Sequence, residues 1–328
     1  MEGVNEGSDA EEEARRFLQP DETAGQLLAR TYVEPLHTGL PLIDRFLAFR
    51  GGQVLEVASA AGAGRTTALL QVAATCILPQ VAGGVTFGGK GAGVLFLDLD
   101  AKLDLVRLLE MLDTRIFAAQ QAAGVLEPDT MPVLADCLSR FHLVRCHGSF
   151  EMLAALCSAQ PTLDALAAAP GGLACLLLDN VATHYYLDRS ARGPPSGGIG
   201  AASSLFGGVP DLAREGAPLT LFRVHAALAA ELRALQRRYR LPIIASKHLV
   251  LPGGREADKD GWAHRDPMMK PWQDLVTHRL LLRSDGGSRS SNSGGGGRAG
   301  VVRLAKWHAP EDPAVIRFEI RSEGILLS

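Results

Sequence analysis

The sequence predicts an α/β fold, a mostly parallel central sheet flanked by helices and extended by antiparallel strands at the C-terminus. Short apolar runs ending in acids, VLFLDLD (94–100) and LACLLLD (173–179), alternate with longer helical segments. That is the pattern of buried parallel strands joined by crossover helices. Strand-like runs then follow one another after residue 275, which implies antiparallel pairing. Between them, residues 53–78 run as strand, small-residue turn and helix in immediate succession.

Element by element, MEGVNEGSDAEEEARR is acidic and has no apolar signal region, so it reads as a flexible tail. DETAGQLLART (21–31) predicts a short helix capped by Asp21 or Thr23. Residues 1–34 are therefore a tail with one helix, and 35–328 one core. LPLIDRFLAF (40–49) predicts a helix stopped by Gly51-Gly52. QVLEVA (53–58) predicts a strand and TTALLQVAATCIL (66–78) a buried helix. Gly-rich residues near 79–93 look like a disordered insertion. Strand 94–100, a helix over about 102–122, strand 141–146, a helix over 150–168 and strand 173–179 follow. A Gly/Pro/Ser-rich stretch near 189–212 reads as a second disordered insertion. Helix 218–239 then leads into strand LPIIASKH (241–248). LVTHRLLLR (275–283), VVRLAKW (301–307), VIRFEIR (315–321) and GILL (324–327) complete the sheet. The low-complexity run 284–299 is a third disordered insertion.

Composition narrows the function classes. The 328 residues are 47% hydrophobic but only 5% aromatic, so Leu, Val, Ile and Ala build the core. A net charge of −3 excludes a whole-surface field for polyanions, though not a local basic patch. The five cysteines form no CxxC pair and read as buried thiols of a reducing compartment. No apolar run approaches a membrane span, so no membrane partner is expected.

The strongest candidate site is Ser59-Ala60-Ala61-Gly62-Ala63-Gly64-Arg65-Thr66-Thr67. A phosphate loop needs small residues that let backbone N–H groups wrap a phosphate, a cation above it, and a hydroxyl for Mg²⁺. The spacing of G-x-x-x-x-G-K-[ST] survives here. Gly64 and Thr66 match it, whereas Ser59 replaces the first glycine and Arg65 the lysine. A guanidinium is a planar fork and cannot simply occupy a point-charge position. The bland alternative is a tight turn with no ligand. Asp179, ending LACLLLD on a strand taken to lie beside the loop, is placed to hold the water shell of Mg²⁺. Its alternative is an ordinary strand-end acid. Alternation puts Asp98 and Asp100 on one side of their strand near the edge where α/β ligands bind. One of them can orient a water, or Asp100 can cap the next helix. Arg233, Arg237, Arg238 and Arg240 read as a solvated helix end more readily than as a phosphate contact. His184, Tyr185 and Tyr186 fit a binding surface and a packing role equally.

The order TGLPLIDRFL, GGQVLEVASAAGAGRTT, VLFLDLD, LACLLLD, LPIIASKH and THRLLLR resembles the RecA/recombinase superfamily core, a P-loop NTPase fold, over about residues 35–328. Further segments, among them LLAR (27–30), DLVRLLEMLDTRI (104–116), LSRFHLVRC (138–146) and KPWQDLVTHRLLLR (270–283), resemble one divergent recombinase paralogue within it. The resemblance implies ATP and Mg²⁺ as cofactors, with Ser59, Gly62, Gly64, Arg65, Thr66, Thr67, Asp179 and His248 around the nucleotide. Thr66 and Asp179 would serve the metal. Asp100 falls where recombinases carry a water-orienting glutamate, one methylene longer. His248 falls where they carry a glutamine that senses the γ-phosphate. Arg65, Asp100 and His248 depart from the pattern together, which argues against independent ATP turnover and for a degenerate P-loop. The segments at about 189–215 and 250–270 align with the family's two DNA-facing loops. The implied role is that of an adaptor in a heteromeric complex of recombinase paralogues. Such a complex promotes recombinase filaments on single-stranded or branched DNA, in the nucleus, during double-strand break repair by homologous recombination. Two alternatives are an active DNA-dependent ATPase and a P-loop kinase of small molecules, the latter poorly matched by the strand-rich C-terminus.

Overall fold

A computed structural model describes residues 22–190, 221–249, 262, 266–284, 302–308 and 314–328. The chain divides into two compact units between Glu34 and Pro35. The first holds α1 (Ala24–Thr31), which Thr23 caps; the Thr23 side chain accepts from the Gln26 amide and the Gln26 side chain accepts from the Thr23 amide. This reciprocal capping box satisfies two amides the helix start would otherwise leave open.

The second unit is built on a nine-stranded sheet. Its strands are β1 (Val54–Ser59), β4 (Gly93–Asp98), β5 (Phe141–Arg145), β6 (Leu173–Asp179), β7 (Ile243–His248), β8 (His278–Ser284), β9 (Arg303–Trp307), β10 (Ile316–Arg321) and β11 (Gly324–Leu327). They lie in the order β11-β10-β9-β8-β1-β7-β6-β4-β5. From β8 to β5 all pairings are parallel, and from β8 to β11 all are antiparallel. This is the expected α/β, RecA-like arrangement. Every residue of β1 and β4 is buried, which explains their unbroken apolar character.

Helices cover both faces. On one face α3 (Arg65–Ile77), α4 (Leu105–Ala122) and α5 (Met131–Ser139) pack over Leu55, Val57, Phe96, Leu177 and Ile244. On the other, α6 (Ser149–Ser158), α7 (Gln160–Ala168), α9 (Leu221–Tyr239) and α10 (Lys270–Gln273) cover Val54, Leu95, Leu97, Leu176, Leu178 and Ala245. The short α8 (Tyr185–Ser190) follows β6. Gln71 of α3 ties the C-terminal hairpin to the core: its amide group donates to Gly39 O (2.7 Å) and Ile325 O (3.3 Å), and its oxygen accepts from Ile325 N (2.5 Å). Gly324, at φ 131, leaves the room this contact needs, since a Cβ there would lie 2.4 Å from Gln71 Oε1.

Several expectations are corrected. The 40–49 helix is only α2 (Pro41–Asp44), because Phe49 turns inward to the core while Phe46 stays exposed. The 150–168 helix is two, broken at Ala159, with Pro161 near the start of the second where a missing amide costs nothing. Residues 79–93 are ordered, not a disordered insertion. Val81–Ala82 (β2) and Val85–Thr86 (β3) form a small antiparallel ladder. The amides of Lys90, Gly91 and Ala92 then bond Thr75 O, Leu78 O and Cys76 O at 2.7–3.1 Å, satisfying carbonyls that the end of α3 leaves open. The predicted insertions near 189–212 and 284–299 fall almost wholly outside the described residues.

All five cysteines are free thiols and four are buried. Burial pushes Cys137 and Cys146 up to about 11, so both stay protonated and unreactive at neutral pH. Among the described residues no helix is long and apolar enough to cross a membrane.

Candidate functional site

The site lies at the carboxyl edge of the parallel strands. Ser59 ends β1, and Gly64 caps α3 in the left-handed region at φ 97 with no side-chain cap. Only glycine fits there, since a Cβ would also meet Ile320 Cδ1 of β10 at 2.5 Å. Gly62 is likewise left-handed, at φ 77. Ser59 is not among the left-handed residues, so a side chain is tolerated where the motif carries its first glycine.

β7 lies between β1 and β6, so Asp179 sits two strands from the loop rather than on the adjacent one. The site nevertheless closes. Asp179 is buried beside Thr66, Arg65 and Asp100. Ser246 Oγ of β7 donates to Asp179 Oδ1, while Oδ2 is buried without a partner. Asp98 is the register partner of Asp179 on β4 and faces the same side; its Oδ1 is also unpartnered, and Oδ2 lies 3.8 Å from Arg145 Nε. Asp100 is beyond the strand end, pairs with Lys102 at 3.4 Å and keeps Oδ1 buried and open. It does not cap the following helix; Asp104 does, accepting from the Val106 amide at 3.0 Å. His248 is the register partner of Ser59, and its amide donates to Asn180 Oδ1 at 2.9 Å.

Ser59, Gly62, Gly64, Arg65, Thr66, Asp100, Asp179 and His248 therefore converge. Thr67 follows on α3. Ser246 and Asn180 also belong to this cluster, and the sequence reading did not single them out. The signal was a serine inside the apolar strand IIASKH and an asparagine directly after a strand-end aspartate, both of which need partners when buried. His184 and Tyr185 pack inward, Tyr185 edge-on to His225 at 6.4 Å. Arg237, Arg238 and Arg240 are exposed on or just past the end of α9, where Arg238 reaches Asp164 of α7 at 3.4 Å.

Arg65 decides whether a nucleotide fits. Its NH1 donates to Ser59 Oγ and Ala60 O at 2.8 Å each, and to Ser59 O. The loop thus turns oxygens toward a cation, whereas a bound phosphate needs amide donors there. The acid side, with open oxygens on Asp179, Asp100 and Asp98, has the oxygen donors a hard cation takes. Arg65 engages the loop's own carbonyls, and the acids nearby keep open oxygens.

Electrostatics follow from this crowding. Burial pushes the Asp179 carboxyl above the usual carboxylate range, against the hydrogen bond from Ser246. Burial, Arg65 and Lys102 all push His248 below the usual histidine range. Because the folded state holds Asp179 with a raised pKa, its charge weakens the fold at neutral pH, and the loss fades as pH falls and the native carboxyl protonates. Asp179→Asn is therefore expected to raise the melting temperature at pH 7, with a smaller gain at lower pH. Thermal unfolding at both pH values measures it; a destabilised variant contradicts it.

No protein-family profile matches the chain. It is 27% identical over 310 residues to the DNA repair protein XRCC2 homolog of Arabidopsis thaliana, covering 87% of this chain and 82% of that protein. The chain is similar to XRCC2. A second relative, the DNA repair protein XRCC2 of Mus musculus, is 28% identical over 250 residues, 73% of this chain and 75% of that protein. The likeness to these XRCC2 proteins extends over most of each chain.

Proposed function

We propose that this chain is a DNA repair protein acting as an adaptor in a complex of recombinase paralogues, promoting double-strand break repair by homologous recombination. Its similarity to XRCC2 repair proteins over most of its length supports the repair role. The adaptor role is carried by one observation, the Arg65 guanidinium seated on Ser59 and Ala60 in the loop where phosphates would bind. With that position filled, the chain contributes shape and surface rather than ATP turnover. Its proposed place is the nucleus, and its proposed partners are other recombinase paralogues, the recombinase filament, and single-stranded or branched DNA held directly or through the complex.

A second reading is a DNA-dependent ATPase, favoured by the open oxygens of Asp179 and Asp100. Phosphate release that requires DNA and is lost in Asp179→Ala supports it; release equal to that variant's rejects it.

Thr66→Ala separates the two in cells. The adaptor reading expects repair-deficient null cells to be restored to the wild-type level of survival after break induction. Complete loss of repair at normal expression contradicts it. A pull-down of the tagged chain from nuclear extract that recovers no recombinase paralogue also rejects the adaptor.

A further inference from the structure

We propose that Arg65 is an internal ligand: its guanidinium permanently occupies the phosphate loop and supplies the positive charge that a metal-bound nucleotide would bring to Asp179 and Asp100. The proposal rests on reading residues 59–67 as a phosphate loop, and it assigns that loop a constitutive, nucleotide-free state.

The geometry supports it from three sides. Within the loop, a single guanidinium nitrogen is shared by Ser59 O, Ser59 Oγ and Ala60 O, and Ser59 Oγ in turn donates to Ala60 O at 2.6 Å. Ser59 thus provides a third acceptor that glycine lacks. The two departures from the motif explain each other, since the serine completes a seat for the arginine. On the acid side, Asp179 and Asp100 are the charged groups facing Arg65, and each keeps a buried oxygen with no hydrogen-bond partner. Such buried acids are destabilising unless a positive charge stands near them. On the outer side, the C-terminal strands hold the loop in place. Ile320 of β10 packs on Gly64, and Arg303 Nε of β9 lies 3.4 Å from Gly62 O.

A structural consequence follows. Asp179 is tied to β7 through Ser246, and Asn180 is tied to it through the His248 amide. With Arg65 seated, these strand-end links are held in one arrangement without a bound γ-phosphate to set them. A partner that docks on this edge meets the same surface whether or not ATP is present.

The test is thermal unfolding of the full chain in the absence and presence of millimolar Mg²⁺, alone or with ATP. A ligand that binds only the folded state raises the melting temperature. The wild-type protein is expected to show no shift with Mg²⁺-ATP. Arg65→Ala is expected to melt several degrees lower and to recover part of the loss with Mg²⁺ alone, because the cation then meets the open oxygens of Asp179 and Asp100. Arg65→Lys, which keeps the charge as the compact point charge the motif carries, is expected to fold and to gain a shift with Mg²⁺-ATP. It keeps the proposal testable if Arg65→Ala does not fold. A wild-type shift with Mg²⁺-ATP that Mg²⁺ alone does not give would show that the loop takes nucleotide with Arg65 in place and would overturn the proposal. So would an Arg65→Lys protein that gains no shift. Co-purification with paralogues measures the adaptor reading separately, so either idea can fail while the other stands.

Discussion

Lys247→Ala is expected to lower stability by about 3–5 kcal/mol, the cost of leaving a buried charge without its partner. Lys247 is 0% exposed on β7 and contacts Glu56 Oε1 at 2.7 Å and Asp266 Oδ2 at 2.8 Å. Arg279 of β8 bridges the same two acids at 2.5 and 2.8 Å, and Trp272 Nε1 donates to Glu56 Oε2 at 2.7 Å. Two cations thus balance two anions in the interior. Without Lys247, one negative charge is left over. Glu56→Gln together with Lys247→Met removes one charge of each sign, so the double variant should lose less than the sum of the single losses. Additive losses contradict the network. The acid limb gives a further arm of the same experiment. Burial alone would raise the Asp266 carboxyl, but Lys247 and Arg279 hold it below its ordinary value. Its contribution is present above the unfolded pKa of about 3.9 and is lost as pH falls through the lower, folded value. Acid unfolding of Lys247→Ala should therefore begin at higher pH than in the wild type.

Leu177→Asp is expected to abolish folding. Leu177 is 0% exposed on β6, which is flanked on both sides by parallel strands, and its register partners are Phe96 and Ile244. The site offers a carboxylate neither water nor a cation, so the penalty exceeds the ordinary margin of stability. Leu177→Ala, a cavity worth about 2–5 kcal/mol, serves as the foldable control. Soluble Leu177→Asp protein with an unchanged melting temperature contradicts this placement of β6.

The elements legible in the sequence were those whose apolar pattern comes from burial on both faces. β1, β4, β6 and β7 read directly because almost every residue in them is buried. Helix α5 was missed because it buries only Leu134 and Cys137, too few to mark a face. The strand-turn-helix at 54–77 was legible because its glycine spacing records backbone geometry, with Gly62 and Gly64 both left-handed. The side-chain network was not, since Glu56, Lys247, Asp266 and Arg279 are far apart in the chain and meet only through strand order. A partial signal existed: VLEVA and IIASKH each place one charged residue inside an apolar strand, and buried charges are rarely unpaired. The seat of Arg65 was equally invisible, because a lysine-to-arginine departure in a motif does not reveal which oxygens the guanidinium will choose.

Native mass spectrometry after co-expression with candidate paralogues decides whether the proposed adaptor is a nucleotide-independent subunit of a recombinase-paralogue assembly. One stable complex is expected, with a mass equal to that of this chain plus its partner and no nucleotide carried by this subunit. A chain that stays monomeric beside every paralogue, or that retains bound ATP, contradicts the proposal.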